Sequence, residues 1–202
     1  MSNSDNSTAK LIIFAIVGGI IMLILAAAFL RKPEVVTLPV VFEEFTDFEC
    51  PACAAYHPLI NQLKTEYSTD NVEFVFRNYP LLSLHPNVLN AHIAAAAAKE
   101  QGKFDDYANK LFENQDKFTN ENYQLFAQEL GLDLDKFSTD LKSAEVKAKV
   151  EADMALGESR GINATPTFYI NGKRVIFKQD DNPELVLRKL LDEKIELAYK
   201  QQ

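Results

Sequence analysis

A chain of 202 residues, 47% hydrophobic and 25% charged, is long enough to bury the core of one ordinary domain. Its formal charge of −8 argues against a nucleic-acid-binding surface. Its two cysteines are too few for the disulfide scaffold of a small secreted protein.

Residues 1–10 read as a polar tail rich in Ser and Asn. Leu11 to Leu30 then runs for 20 residues without a charged residue, Asn, Gln or Pro. At ~1.5 Å per residue such a helix is about 30 Å long, the thickness of a bilayer core. It has no polar face, unlike a surface helix of a soluble domain. Residues 11–30 are therefore expected to form a transmembrane signal anchor in the lipid bilayer. The alternatives are a cleaved signal peptide ending near Ala26-Ala27-Ala28, whose apolar core is usually ~7–15 residues, and a buried helix. Lys10 precedes the run, and Arg31 and Lys32 follow it. Counted simply, that bias leaves the C-terminal part in the cytoplasm.

Residues 31–37 form a linker, and 38–202 the domain. Leu38 to Phe48, rich in Val and Phe, reads as a buried strand. Pro51 opens a helix to about Tyr67, where its fixed φ and missing N–H do no harm. Tyr56, Leu59, Ile60 and Leu63 share one face of it. Val72 to Asn78 is a second strand. Helices follow over 87–100, 104–114, 121–130 and 135–157, the last broken near Ser143. Gly102 and Gly131 stand where two of them should stop. Thr167 to Ile170 is a third strand, Asn171-Gly172 a hairpin turn, and Arg174 to Lys178 the returning strand. Pro183 opens the last helix, with Leu185, Leu187, Leu190, Leu191 and Ile195 on its apolar side. Strand–helix–strand implies a parallel pair and the hairpin an antiparallel one. The simplest assembly is an α/β mixed sheet with helices on its faces and a helical insertion at about 84–157.

The only cysteines are Cys50 and Cys53, in Cys50-Pro51-Ala52-Cys53. Thiols at i and i+3 can close into a small disulfide and reopen. A structural disulfide is poorly motivated, because so short a ring constrains little unfolded chain. A closed zinc site needs about four ligands. Cys50, Cys53 and His57 supply three, so neither a metal nor another cofactor is expected. Cys50 should sit at the helix N-terminus, where unpaired N–H groups and the helix dipole lower a thiol pKa. Cys53 lies one turn deeper. Cys50 is then the attacking sulfur and Cys53 the resolving one, with exchange through a mixed disulfide.

Several segments together resemble the DsbA-type branch of the thioredoxin superfamily. They are Phe45-Thr46-Asp47-Phe48-Glu49-Cys50-Pro51-Ala52-Cys53, Phe76-Arg77-Asn78-Tyr79-Pro80-Leu81, His85-Pro86-Asn87, Gln101-Gly102-Lys103-Phe104, Leu111-Phe112 and the run from Gly161 to Gly172. The resemblance covers nearly everything from Val40 to the C-terminus. It implies a thioredoxin-like fold with an inserted helical domain, and thiol–disulfide exchange. It also implies a cis Pro166 that presents the Thr165 backbone to an extended substrate, added as a strand. Read without the resemblance, Pro166 is a strand-entry residue. The family places an acidic proton relay at Glu44, and burial would raise its pKa to suit that task. Otherwise Glu44 is a partly exposed strand-edge residue, as Glu43 beside it is expected to be. His57 reads as a helix-surface residue, and His85 and His92 as capping or packing residues.

Pro51 and Ala52, between the cysteines, tune the redox potential. The strongly oxidising relatives carry Pro-His there, so Ala52 removes an imidazole donor from the Cys50 thiolate. The expectation is a dithiol oxidase that introduces disulfides into reduced exported proteins. A reductase or isomerase stays open, as does a non-catalytic thioredoxin-fold chaperone or binding module. With no further cysteine, the pair needs an external membrane redox partner to reset it. Stable oxidising exchange belongs outside the cytoplasm, so residues after Lys32 are placed on the extracytoplasmic face against the weak charge bias.

Overall fold

Strand β1 (Val40–Thr46) is the centre of the architecture, because it is buried along almost its whole length. The computed structural model describes Met22 and residues 38–200. The expected membrane anchor at 11–30 lies outside the described residues except for Met22. Among the described residues no helix is long and apolar enough to cross a membrane. The described residues from Leu38 onward fall in one compact unit, Thr37–Gln202.

After β1 come α1 (Pro51–Glu66) and β2 (Val72–Asn78). Five helices follow: α2 (Leu89–Lys99), α3 (Phe104–Glu113), α4 (Asn120–Glu129), α5 (Leu134–Asp140) and α6 (Ala144–Ser159). The chain ends with β3 (Thr167–Ile170), β4 (Lys173–Arg174) and α7 (Pro183–Lys200). The sheet order is β2-β1-β3-β4. β1 pairs in parallel with β2 and antiparallel with β3, and β3 with β4 is antiparallel. The expected mixed sheet is therefore present.

Alternation along β1 divides the core, since successive side chains point to opposite faces. Val40 and Phe42 pack with Ile60 and Leu63 of α1, Phe168 and Ile170 of β3, and Leu187 and Leu191 of α7. Phe45, on the other face, packs with Tyr79, Ile162 and Tyr169. A third cluster joins the helices α2–α6 and draws in Phe48 from the loop after β1. The alanines Ala94, Ala95, Ala97 and Ala98 of α2 are fully buried there, as close helix packing requires. At Gly157 of α6 a Cβ would collide with the Tyr79 ring, so glycine lets this helix lie against the end of β2.

The break expected near Ser143 is present: the stretch over 135–157 divides into α5 and α6, and Ser143 caps α6 by accepting the N–H of Val146. Other expectations need correction. The returning strand stops at Arg174 rather than Lys178. Val175 and Phe177 turn into the α1-side core, and Lys178 donates its N–H to Asp181 in a local turn. Leu185 is exposed, not part of the apolar side of α7. The hairpin turn is as read: Asn171 and Gly172 both have positive φ.

Candidate active site

The segment between β1 and α1 carries both cysteines and is tied down from three directions. Asp47, fully buried, accepts the N–H of Glu49 at 2.7 Å, the N–H of Leu81 at 2.6 Å, and a bond from His85 Nδ1 at 2.9 Å. Its own carbonyl accepts the N–H of Cys50 at 3.1 Å. His92 of α2, also fully buried, accepts the N–H of Phe48 on Nε2 and bonds Asn78 Oδ1 through Nδ1. Burial holds its pKa down to about 3, so it is a neutral packing and hydrogen-bonding group. Gln115, just after α3, donates to the carbonyls of Phe48 at 2.7 Å and Cys50 at 3.1 Å. The helices between β2 and β3 thus hold the loop in place. Asp47, His92 and Gln115 were not singled out from sequence as site-building residues. Only Asp47 carried a local signal, the Asx-type bond two residues on.

Cys50 is the N-cap of α1, with extended backbone, and Pro51 occupies the first turn. Cys50 is 8% exposed and Cys53 0%. Both are free thiols, so the geometry is that of the reduced protein. The Cys50 thiol is brought down to about 5, first by its bond from the Cys53 thiol. Burial acts against this, and the Thr165 contact and the N–H groups of Cys53 and Ala52 add to it. That lies between the about 7 and about 3.5 of well-known reducing and oxidising members of such dithiols. Cys53 moves the opposite way. Burial and the neighbouring Cys50 sulfur push its pKa far up, against the Asp47 backbone and the Thr46 and Thr165 side chains. Ala52 therefore leaves the pair strongly unequal, although its side chain supplies no donor.

Thr165–Pro166 is a cis peptide bond. The Cys50 Sγ–H donates to the Thr165 carbonyl at 3.4 Å, so residues 115 apart in sequence meet at the thiol. His85 stands above its usual pKa: burial opposes its charge, and the Asp47 carboxylate outweighs burial. His57 does not join the cysteines. Its ring bonds Asn109 and Asn61 and lies on Phe112, linking α1 to α3. Among the described residues no group of three or more His, Cys, Asp or Glu could hold a metal ion.

Glu44 is 5% exposed on the α1 side of β1, in register with Phe76 of β2 and Phe168 of β3. Burial raises its pKa to about 7, with Lys64 and the Thr46 hydroxyl pulling weakly the other way. It lines a cavity of about 10 Å³ with Phe42, Ile60 and Lys64, room for no more than one water. Glu43 is not an exposed edge residue. It is 4% exposed on the opposite face and bonded to Arg77 and Arg160, each at 2.8 Å.

This arrangement has counterparts among known proteins. A thiol-disulfide exchange protein from Wolbachia pipientis, alpha-DsbA2, superposes with a TM-score of 0.67 at 23% identity, over 79% of this chain and 88% of that one. A thioredoxin-like oxidoreductase from Silicibacter pomeroyi gives 0.64 at 26% identity, over 79% and 88%. These structural neighbours are oxidoreductases built on a thioredoxin-like domain. In sequence, a Na(+)/H(+) antiporter, NhaA 3, from Salinispora tropica is 35% identical over 136 residues, 67% of this chain and 21% of the relative. The chain spans about a fifth of the length of the curated relatives it matches. The family model described as thioredoxin matches residues 38–193, and the chain belongs to that family.

Proposed function

We propose that this protein is a dithiol oxidase that places disulfides into reduced exported proteins through a mixed disulfide on Cys50. One observation carries the reading. Cys50 sits at the N-terminus of α1 with a thiol pKa of about 5, beside the Thr165 carbonyl, while Cys53 is sealed one turn deeper. A stable Cys50 thiolate favours the reduced protein, and a pair that prefers to be reduced oxidises others.

In the forward direction a substrate thiolate attacks Sγ of Cys50 in the Cys50–Cys53 disulfide. That bond breaks, Cys53 leaves as a thiolate and takes a proton, and Glu44 is the proton source. A second substrate thiolate attacks the substrate sulfur of the mixed disulfide, and Cys50 departs as its stabilised thiolate. Two electrons have moved from substrate to protein. The Thr165 backbone before Pro166 receives the substrate as an added strand. Pro51 and Ala52 present no charged group between the thiols. A membrane redox partner accepts the electrons and resets the pair. Residues 11–30 anchor the chain in the bilayer near that partner, with the domain on the extracytoplasmic face. The similarity to segments of large membrane antiporters is compatible with work at a membrane.

The test is oxidation of a reduced, unfolded protein by the purified chain. Disulfide formation that disappears in Cys50→Ser is expected. Inactivity of the oxidised chain, or a reduction potential near that of thioredoxin, would reject the oxidase direction.

A further inference from the structure

Thr46 is fully buried, and its hydroxyl is settled in no well-formed hydrogen bond, although it lies close enough to Glu44 and Cys53 to act on both. Its backbone belongs to the sheet: it pairs with Asn78 of β2, and its carbonyl accepts the N–H of Tyr79. An apolar residue would fill this position without leaving a buried polar atom unsatisfied, so the hydroxyl calls for a reason. Its place on β1 supplies one. Thr46 is two residues from Glu44 and so on the same face, the face covered by α1. It stands at the end of the strand nearest the first turn of α1, where Cys53 is buried.

Resting on the oxidoreductase reading above, we propose that the Thr46 hydroxyl is the relay through which protons pass between Cys53 and Glu44. When Cys53 resolves a mixed disulfide, its S–H proton passes to the Thr46 oxygen as the Thr46 proton passes to the Glu44 carboxylate. The freed Cys53 electron pair attacks Cys50 Sγ. A Cys50–Cys53 bond forms, the Cys50–substrate bond breaks, and the substrate leaves as a thiolate. The oxidising direction runs the same transfers in reverse. Two further facts agree. The Thr46 hydroxyl favours the charged forms of both Cys53 and Glu44, as a donor able to turn to either would. Glu44 has Phe76 and Phe168 as its strand neighbours, so Lys64 on α1 is the charged side chain acting on it.

The test uses the full chain with Cys50 loaded as a mixed disulfide with glutathione, and follows release of glutathione by Cys53 against pH. Thr46→Val, which keeps the shape and removes the hydroxyl, should slow release at least about tenfold. It should also remove the inflection due to Glu44, while Thr46→Ser retains both rate and inflection. Alkylation of Cys50 should be the same in all three, which reports an intact α1 N-terminus. Equal release rates for Thr46→Val and the parent chain, or equal slowing in Thr46→Val and Thr46→Ser, would overturn the relay. A measurement on the parent chain needs no variant. Release in mixtures of light and heavy water should show a curved dependence, from two protons moving together, and a linear one would contradict it. If the parent chain releases no glutathione, the oxidoreductase reading itself fails, a result distinct from failure of the relay alone.

Discussion

Glu43 and Glu44 are neighbours on one strand, nearly equally buried, and their carboxyl groups behave in opposite ways. On the Glu43 face two guanidinium groups meet the carboxylate, and Arg77 continues to Asp153 at 3.2 Å. Arg160 also lies over the rings of Phe45 and Tyr169. Burial there is outweighed by the arginines, and the Glu43 pKa falls below the usual carboxylate value. On the Glu44 face the in-register neighbours are phenylalanines, and burial wins. The difference teaches that depth alone does not decide ionisation; the partner does. One face of β1 is a structural clamp, and the other holds a buried carboxyl group whose pKa is raised to about 7.

The largest expected effect tests the Glu44 face. Its pKa is raised from 4.5 to about 7, so its contribution to stability is whole below about pH 4.5 and is lost as pH rises through about 7. Glu44→Gln should therefore match the parent chain near pH 4 and exceed it by about 3 kcal/mol above pH 8, in denaturant titrations. Turnover in thiol–disulfide exchange should fall in the same variant. The Glu43 face should answer with the opposite sign. Its depressed pKa gives stability that is present above 4.5 and lost as pH falls through the lower folded value. Glu43→Gln should cost about 2 kcal/mol at pH 7, because two partly buried arginines lose their shared partner, and the loss should shrink in acid. Gly157→Ala is next, at about 1–2 kcal/mol in thermal or denaturant unfolding, because the new methyl group presses on Tyr79. Gln115→Leu should be the mildest, about 1 kcal/mol, from two lost bonds to the loop before Cys50. It should also broaden the pH dependence of Cys50 reactivity.

Much of this was legible before any coordinates. Strands β2 and β3 fall where Val72–Asn78 and Thr167–Ile170 were read, because their β-branched and aromatic runs are bounded by clear turn residues. The inequality of the cysteines follows from Pro51 opening a helix just after Cys50. What sequence could not supply was the company each residue keeps at long range. Glu43 and Glu44 look alike in a string of letters, and the arginines that separate them come from positions 77 and 160. His92 and Gln115 reach the active-site loop from 44 and 67 residues away, and no local pattern reports that. The early end of β4 was missed for a similar reason, since Val175 and Phe177 are drawn into a core built by distant elements.

The most direct measurement is the rate of Cys50 alkylation against pH in the reduced chain, with the modified cysteine identified by mass spectrometry. A single midpoint near pH 5 is predicted, with modification confined to Cys50 and Cys53 untouched through neutral pH. Because the folded Cys50 pKa lies below that of a free thiol, the Cys50 contribution to the advantage of the reduced over the oxidised protein should be whole above about pH 9. It should vanish as pH falls through about 5. A midpoint near the about 8.5 of a free cysteine, or equal modification of both thiols, would contradict thiolate exchange through Cys50.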